Sequence, residues 1–144
     1  MVHDIKLEVV EDVIGPPPLH LTSKFNTLQD WLLNICDKDN PQKPIAKYRF
    51  GLFESPNDYT IFLIGVNTYD ESQNRSVTRI EFESTNMYFK LPEIYFENLN
   101  REQLLVKLIS QLIDFAKTEK FKTSFFTKAD IVVFETNGKI IWSK

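Results

Sequence analysis

The stretch AKYRFGLFESPNDYTIFLIGVNTYDESQNRSVTRIEFES, residues 46–84, decides the fold. It predicts three antiparallel strands: Ile45 to Glu54, Tyr59 to Tyr69 and Val77 to Ser84. Ser55-Pro56-Asn57-Asp58 is turn chemistry, because Pro presets φ and Asn and Asp bond their own backbone. Asp70 to Ser76 reads as a longer polar loop. Ile61 to Ile64 is apolar without alternation, as in a central strand covered on both faces. Val77 to Ser84 alternates, so Thr78, Ile80 and Phe82 are expected on one face and Arg79, Glu81 and Glu83 on the other.

On the N-terminal side, Ile5, Leu7 and Val9 alternate with Lys6, Glu8 and Val10, which predicts a strand within residues 4–14. Gly15-Pro16-Pro17-Pro18 ends it as an extended connector, although a proline-rich ligand for an SH3-type partner has the same composition. Leu28, Trp31, Leu32, Ile35 and Cys36 give the apolar face of a helix over 23–37, capped by Ser23 or Thr27. The polar turn Asp37 to Pro44 opens like a calcium loop. It has Gln42 where such a loop needs Gly and Tyr48 where it needs Glu, so calcium is excluded.

Past the meander, Asn86 to Pro92 predicts a short fourth strand. Asn100 and Gln103 form a capping-box pair that opens a second helix, expected to run to Thr118. Its apolar face is Leu104, Leu105, Leu108, Ile109, Leu112, Ile113 and Ala116. Phe121 to Ala129 is irregular in pattern. Asn137-Gly138 predicts a type I′ hairpin between 131–136 and 139–143, with Trp142 against Val133. The expected whole is one α+β domain over residues 1–144: an antiparallel meander sheet of about five to seven strands with two main helices packed on it.

The chain has 144 residues, net charge −3 and a single cysteine, Cys36, so no intrachain disulfide can form. That charge argues against general binding to nucleic acid or an anionic membrane. No apolar run long enough to span a bilayer and no secretory signal pattern is present, so a cytoplasmic location without membrane contact is expected. Asn74-Arg75-Ser76 matches a glycosylation sequon, which without a secretory signal carries nothing.

Chemistry has few candidates. His3 and His20 have no ligand spacing to each other or to Cys36, so no metal or cofactor is expected. Cys36 lies on an apolar stripe without a neighbouring base. Glu81 and Glu83, about 7 Å apart on one strand face by the usual rise per residue, form a carboxylate pair or an exposed charge ladder beside Arg79. Lys117, Lys120, Lys122 and Lys128 interleave with Phe121, Phe125 and Phe126, a pattern that also suits single-stranded nucleic acid. No nucleophile elbow, dinucleotide fingerprint or Walker loop occurs.

Residues 54–100 hold Glu54, Asp58, Asp70, Glu71, Glu81, Glu83, Glu93 and Glu97 against Arg75, Arg79 and Lys90. This acidic stretch, with Tyr88 and other tyrosines, predicts a non-enzymatic face for a basic protein partner. The expected contact residues are Asp70, Glu71, Arg79, Glu81, Glu83 and Tyr88. In its acidity, length, α+β pattern and lack of catalytic motifs, the chain is similar in type to the small immunity proteins of bacterial polymorphic-toxin systems. That resemblance implies stoichiometric inhibition of a toxin domain by covering its basic active site. A small-molecule protein with an aromatic-lined cavity is the alternative from another class.

Overall fold

The structure is a computed structural model and describes residues 8–18, 21–22 and 24–144. His3, His20 and Ser23, and the start of the predicted first strand, lie outside the described residues. In order, the elements are β1 (Glu8–Glu11), α1 (Leu28–Lys38), β2 (Lys47–Glu54), β3 (Tyr59–Ser72) and β4 (Arg75–Lys90). They continue as α2 (Arg101–Ala116), α3 (Glu119–Lys122), β5 (Ile131–Phe134) and β6 (Lys139–Ser143).

The strands form one six-stranded sheet in the order β1-β4-β3-β2-β5-β6. The meander β2-β3-β4 is antiparallel, as its short turns require. The sheet as a whole is mixed, which corrects the purely antiparallel expectation: β1 lies parallel to β4 and β5 parallel to β2. Both parallel partners are reached by connections that contain a helix, so nothing in the turn sequences fixes their direction. The class, α+β with helices layered on a sheet, is as expected.

Two predicted strands, Val77 to Ser84 and Asn86 to Pro92, are one strand, β4. The polar loop Asp70 to Ser76 is also corrected. Strand pairing continues through Asp70↔Ser76 and Ser72↔Arg75, leaving Gln73 and Asn74 as the turn.

Both predicted helices form, although α1 begins at Leu28 rather than at 23. Thr27 caps α1 by accepting from the Asp30 amide, and Leu28, Trp31, Leu32 and Ile35 are buried. The Asn100–Gln103 capping box closes α2 in both directions, and that helix ends at Ala116 because Thr118 becomes the cap of α3. The irregular segment after it packs Phe121 and Phe126 into the core through α3 and a 3-10 turn.

The main core lies between the helices and one face of the sheet, around Trp31, Phe50, Ile61, Leu63, Phe89, Leu104, Leu108 and Phe126. The other face carries a smaller cluster of Phe62, Ile64 and Val66, with Ile14, Phe53, Ile80 and Tyr88 packed against it. Thus β3 is covered on both sides from Thr60 to Val66, as its unbroken apolar run predicted. The cover on the second face is the connector after β1. Ile14 packs on the cluster, the Tyr88 hydroxyl donates to the Gly15 carbonyl at 2.7 Å, and the three prolines run past Phe53 and Thr60. Prolines suit this path because they bring no N–H group to leave unpaired on an apolar surface.

The terminal hairpin differs from a type I′ turn. Phe134 pairs with Lys139, so residues 135–138 form the loop, and among the described residues Gly138, not Asn137, takes a positive φ (67°). Asn137 instead accepts the Lys139 amide on its side-chain oxygen at 3.1 Å. A bulge after Val132 sets Trp142 opposite Val132 rather than Val133, and its ring meets Phe121 edge-on at 5.7 Å.

Candidate functional site

The outer part of the β3–β4 hairpin gathers most of the predicted contact residues. Burial along β3 stops after Val66, and Thr68 to Ser72 are exposed. The side chains on one face of this arm follow from the register. Asn67 pairs with Arg79 and Tyr69 with Val77, so these share a face. Glu71 joins them by accepting Arg79 Nη2 and Arg75 Nη1, each at 3.4 Å.

Glu81, two residues beyond Arg79, shares that face and sits in a β-bulge. Gly65 pairs with Phe82 and Val66 with Ile80, so Glu81 is an extra residue with no partner of its own. Its carboxylate is bonded by the Lys43 ammonium, the Tyr69 hydroxyl and Asn67 Nδ2. Asn67 also accepts the Ala46 amide at 2.7 Å and donates to the Pro44 carbonyl at 2.9 Å. One carboxylate therefore ties the 43–46 loop to the arm.

With its side chain only 11% exposed and three donors around it, the Glu81 carboxyl is held down at about 2, the Lys43 and Tyr69 hydrogen bonds being the main causes. The same contacts push the Lys43 ammonium and the Tyr69 hydroxyl upward, so each keeps its proton at neutral pH. A group held below its ordinary 4.5 stabilises the fold fully above that value and loses this contribution as pH falls toward 2. The stability gap between the wild type and Glu81→Gln, read by urea unfolding, is expected to be widest above pH 4.5 and to shrink toward pH 2. A gap that stays constant across that window rules out Glu81 as the titrating anchor.

The bulge corrects the predicted face of Arg79, Glu81 and Glu83. Arg79 and Glu81 stay together, but Glu83 pairs with Ile64 of the second cluster and stands on the opposite face. Phe82, expected beside Ile80, points instead toward the helices and meets Tyr48 and Phe125 at 5.7 and 5.5 Å. The carboxylate pair that acid–base work would need is therefore split by the sheet. Tyr88 anchors the connector, and burial followed by the nearby Glu83 charge raises its hydroxyl. Asp70 is exposed at the arm's end.

Sequence reasoning missed Lys43, Asn67 and Arg75 as members of this face. Gly65, a glycine inside an apolar strand, was the one signal for a bulge. Much of the acidic stretch is paired off: Glu54 with Arg101, Asp58 with Lys90, Glu71 with Arg75 and Arg79, Glu81 with Lys43. Asp70 and Glu83 have no ion-pair partner among the described residues.

Other candidates resolve into structure. Burial raises the Cys36 thiol to about 11, against a weaker opposing hydrogen bond with Ser124, so almost none of it is thiolate at pH 7. Phe121 and Phe126 are buried and so offer no face to a stacked base, and Lys120 pairs with Asp37. Among the described residues, no three His, Cys, Asp or Glu side chains come together as a metal site, and no helix is long and apolar enough to cross a membrane. Two cavities of about 420 Å³ are present, one between α1 and α2 beside Tyr95 and one beside Tyr48.

No protein-family model, curated protein or solved structure matches the chain.

Proposed function

We propose that this chain is a protein-binding domain without chemistry of its own, which docks through the arm face of β3 and β4. The observation that carries this reading is Tyr69, which is 44% exposed while its hydroxyl is fixed on Glu81. An exposed aromatic that is already immobilised loses little further entropy on binding, which favours it as an anchor. Around it Glu71, Arg75 and Arg79 hold one another in place, so the face presents an ordered, mixed-charge surface. Such a face fits a protein partner with its own alternating charges. A toxin domain inhibited by occlusion, the partner implied by the resemblance, is the specific form of this proposal. Asp70, at the arm's end and without an ion-pair partner among the described residues, is then the charge left to meet basic groups on it, while Glu83 stands on the opposite face and takes no part.

The test compares the wild type with a shortened arm in which residues 70–76 are replaced by Asn-Gly. That change leaves Tyr69 opposite Val77 at a two-residue turn suited to the hairpin. Affinity capture from the native cells, read by mass spectrometry, is expected to recover a stoichiometric protein partner with the wild type and lose it with the short arm. Equal recovery by both removes residues 70–76 from the interface. Recovery of no partner by either sinks the protein-binding reading.

A further inference from the structure

The cavity beside Tyr48 opens next to the 43–46 loop that Glu81 ties to the arm, and it has a chemistry of its own. Tyr48 is 2% exposed and its ring is fixed by Phe82, Phe125 and Phe126, with centroids 5.7, 5.3 and 5.1 Å away. None of the described residues makes a hydrogen bond to its hydroxyl, and burial alone accounts for the rise of that group above its ordinary range. No fully enclosed side-chain polar atom among the described residues lacks a partner. The Tyr48 hydroxyl therefore meets the one opening left to so covered a residue, the cavity it lines. Opening into the cavity with no protein partner, the hydroxyl is a donor left for what fills that cavity, water or a ligand acceptor.

The remaining walls define what such a ligand carries. Phe125, Ile45 and Pro44 offer apolar surface, and Lys43 and Lys128 stand at the rim. The Lys43 ammonium is already taken by Glu81. Lys128 is exposed and has no ion-pair partner among the described residues, so it supplies the unbalanced charge. The volume, about 420 Å³, lies within the range of small-molecule sites.

We infer that this cavity binds a small aromatic anion, its flat body between Phe125, Ile45 and Pro44, an acceptor on the Tyr48 hydroxyl and its carboxylate at Lys128. The cavity shares the 43–46 loop with the arm's anchor but takes a different ligand, so a failed partner assay leaves it standing, and the reverse. The test is a 19F NMR titration of the full chain with 6-fluoro-2-naphthoate and its neutral amide. Both probes are expected to bind, the anion tighter and with salt-sensitive affinity. Tyr48→Phe should weaken both about tenfold, the effect of one hydrogen bond. Lys128→Ala should weaken the anion several-fold, erase its salt dependence and leave the amide unchanged. Because the hydroxyl has no partner to lose, Tyr48→Phe should melt at or above the wild-type temperature, which separates lost binding from lost fold. Absence of binding by the anion, or binding unchanged in Tyr48→Phe, overturns the inference.

Discussion

Trp31→Ala is expected to cost about 3–5 kcal/mol of stability, the range for truncating a large buried aromatic. Total stability for a domain of this kind is about 5–15 kcal/mol, so the variant should sit close to its unfolding threshold. Trp31 is fully buried, stacked on Phe89 at 5.7 Å and edge-on to Phe50 at 6.0 Å. Its indole also donates to the Asn86 carbonyl at 2.7 Å. That bond matters because β4 leaves its ladder there: Phe62 pairs with Tyr88 and Ile64 with Glu83, so the four residues 84–87 face Leu63 alone. Backbone groups without ladder partners must be satisfied elsewhere. Helix α1 and its cap do much of this, with Asp39 accepting the Thr85 amide and Trp31 donating to the Asn86 carbonyl, while the Asn86 amide donates to the Ser84 hydroxyl. Trp31→Phe keeps most of the ring and removes only the donor, so it should cost about 1–3 kcal/mol. Chemical unfolding gives both values. Hydrogen exchange in the Phe variant should rise first at residues 84–87. A Phe variant as stable as the wild type, with exchange there unchanged, would show that packing alone holds α1 on the sheet.

The same irregularities explain how much of the molecule was legible. Helix periods and caps are local, and α1 and α2 form where Thr27, Asn100 and Gln103 predicted them. The three central strands are local too, since short turns fix their antiparallel order. A bulge is one residue of surplus, and alternation read through it inverts every later assignment. That is why Glu83 and Phe82 exchange faces while Arg79 and Glu81 do not. Direction of pairing with a distant strand, as for β1 and β5, leaves no mark in the strand itself. The candidate site was legible in its strand residues and not in its partners. Lys43 lies 38 residues from Glu81 in sequence, and only the folded sheet brings the two together. The apparent acidity of residues 54–100 was a count of charges without their partners, and pairing with Lys43, Lys90 and Arg101 removes much of it.

Tyr69→Ala is expected to weaken the captured partner's affinity by about 30-fold or more, which corresponds to a hot-spot loss of about 2 kcal/mol. The ring is the large exposed apolar group of the arm, and its hydroxyl bond to Glu81 orients it before any partner arrives. Two effects are therefore combined in the Ala variant: lost contact area and lost preorganisation. Tyr69→Phe separates them, because it keeps the area and frees the ring, and should weaken binding only several-fold. Glu81→Gln acts on the same orientation from the other side and should resemble the Phe variant. Asp70→Lys probes a different quantity. Asp70 is exposed and without an ion-pair partner among the described residues, so reversing it should slow association and change its salt dependence while leaving dissociation nearly constant. Surface plasmon resonance on the purified pair reads all four variants. If Tyr69→Ala binds as tightly as the wild type, the arm face is not the interface, whatever partner is captured. If Tyr69→Ala and Tyr69→Phe weaken equally, orientation by Glu81 and not contact area is what the partner reads, and the arm acts as a preset hook rather than an adhesive patch.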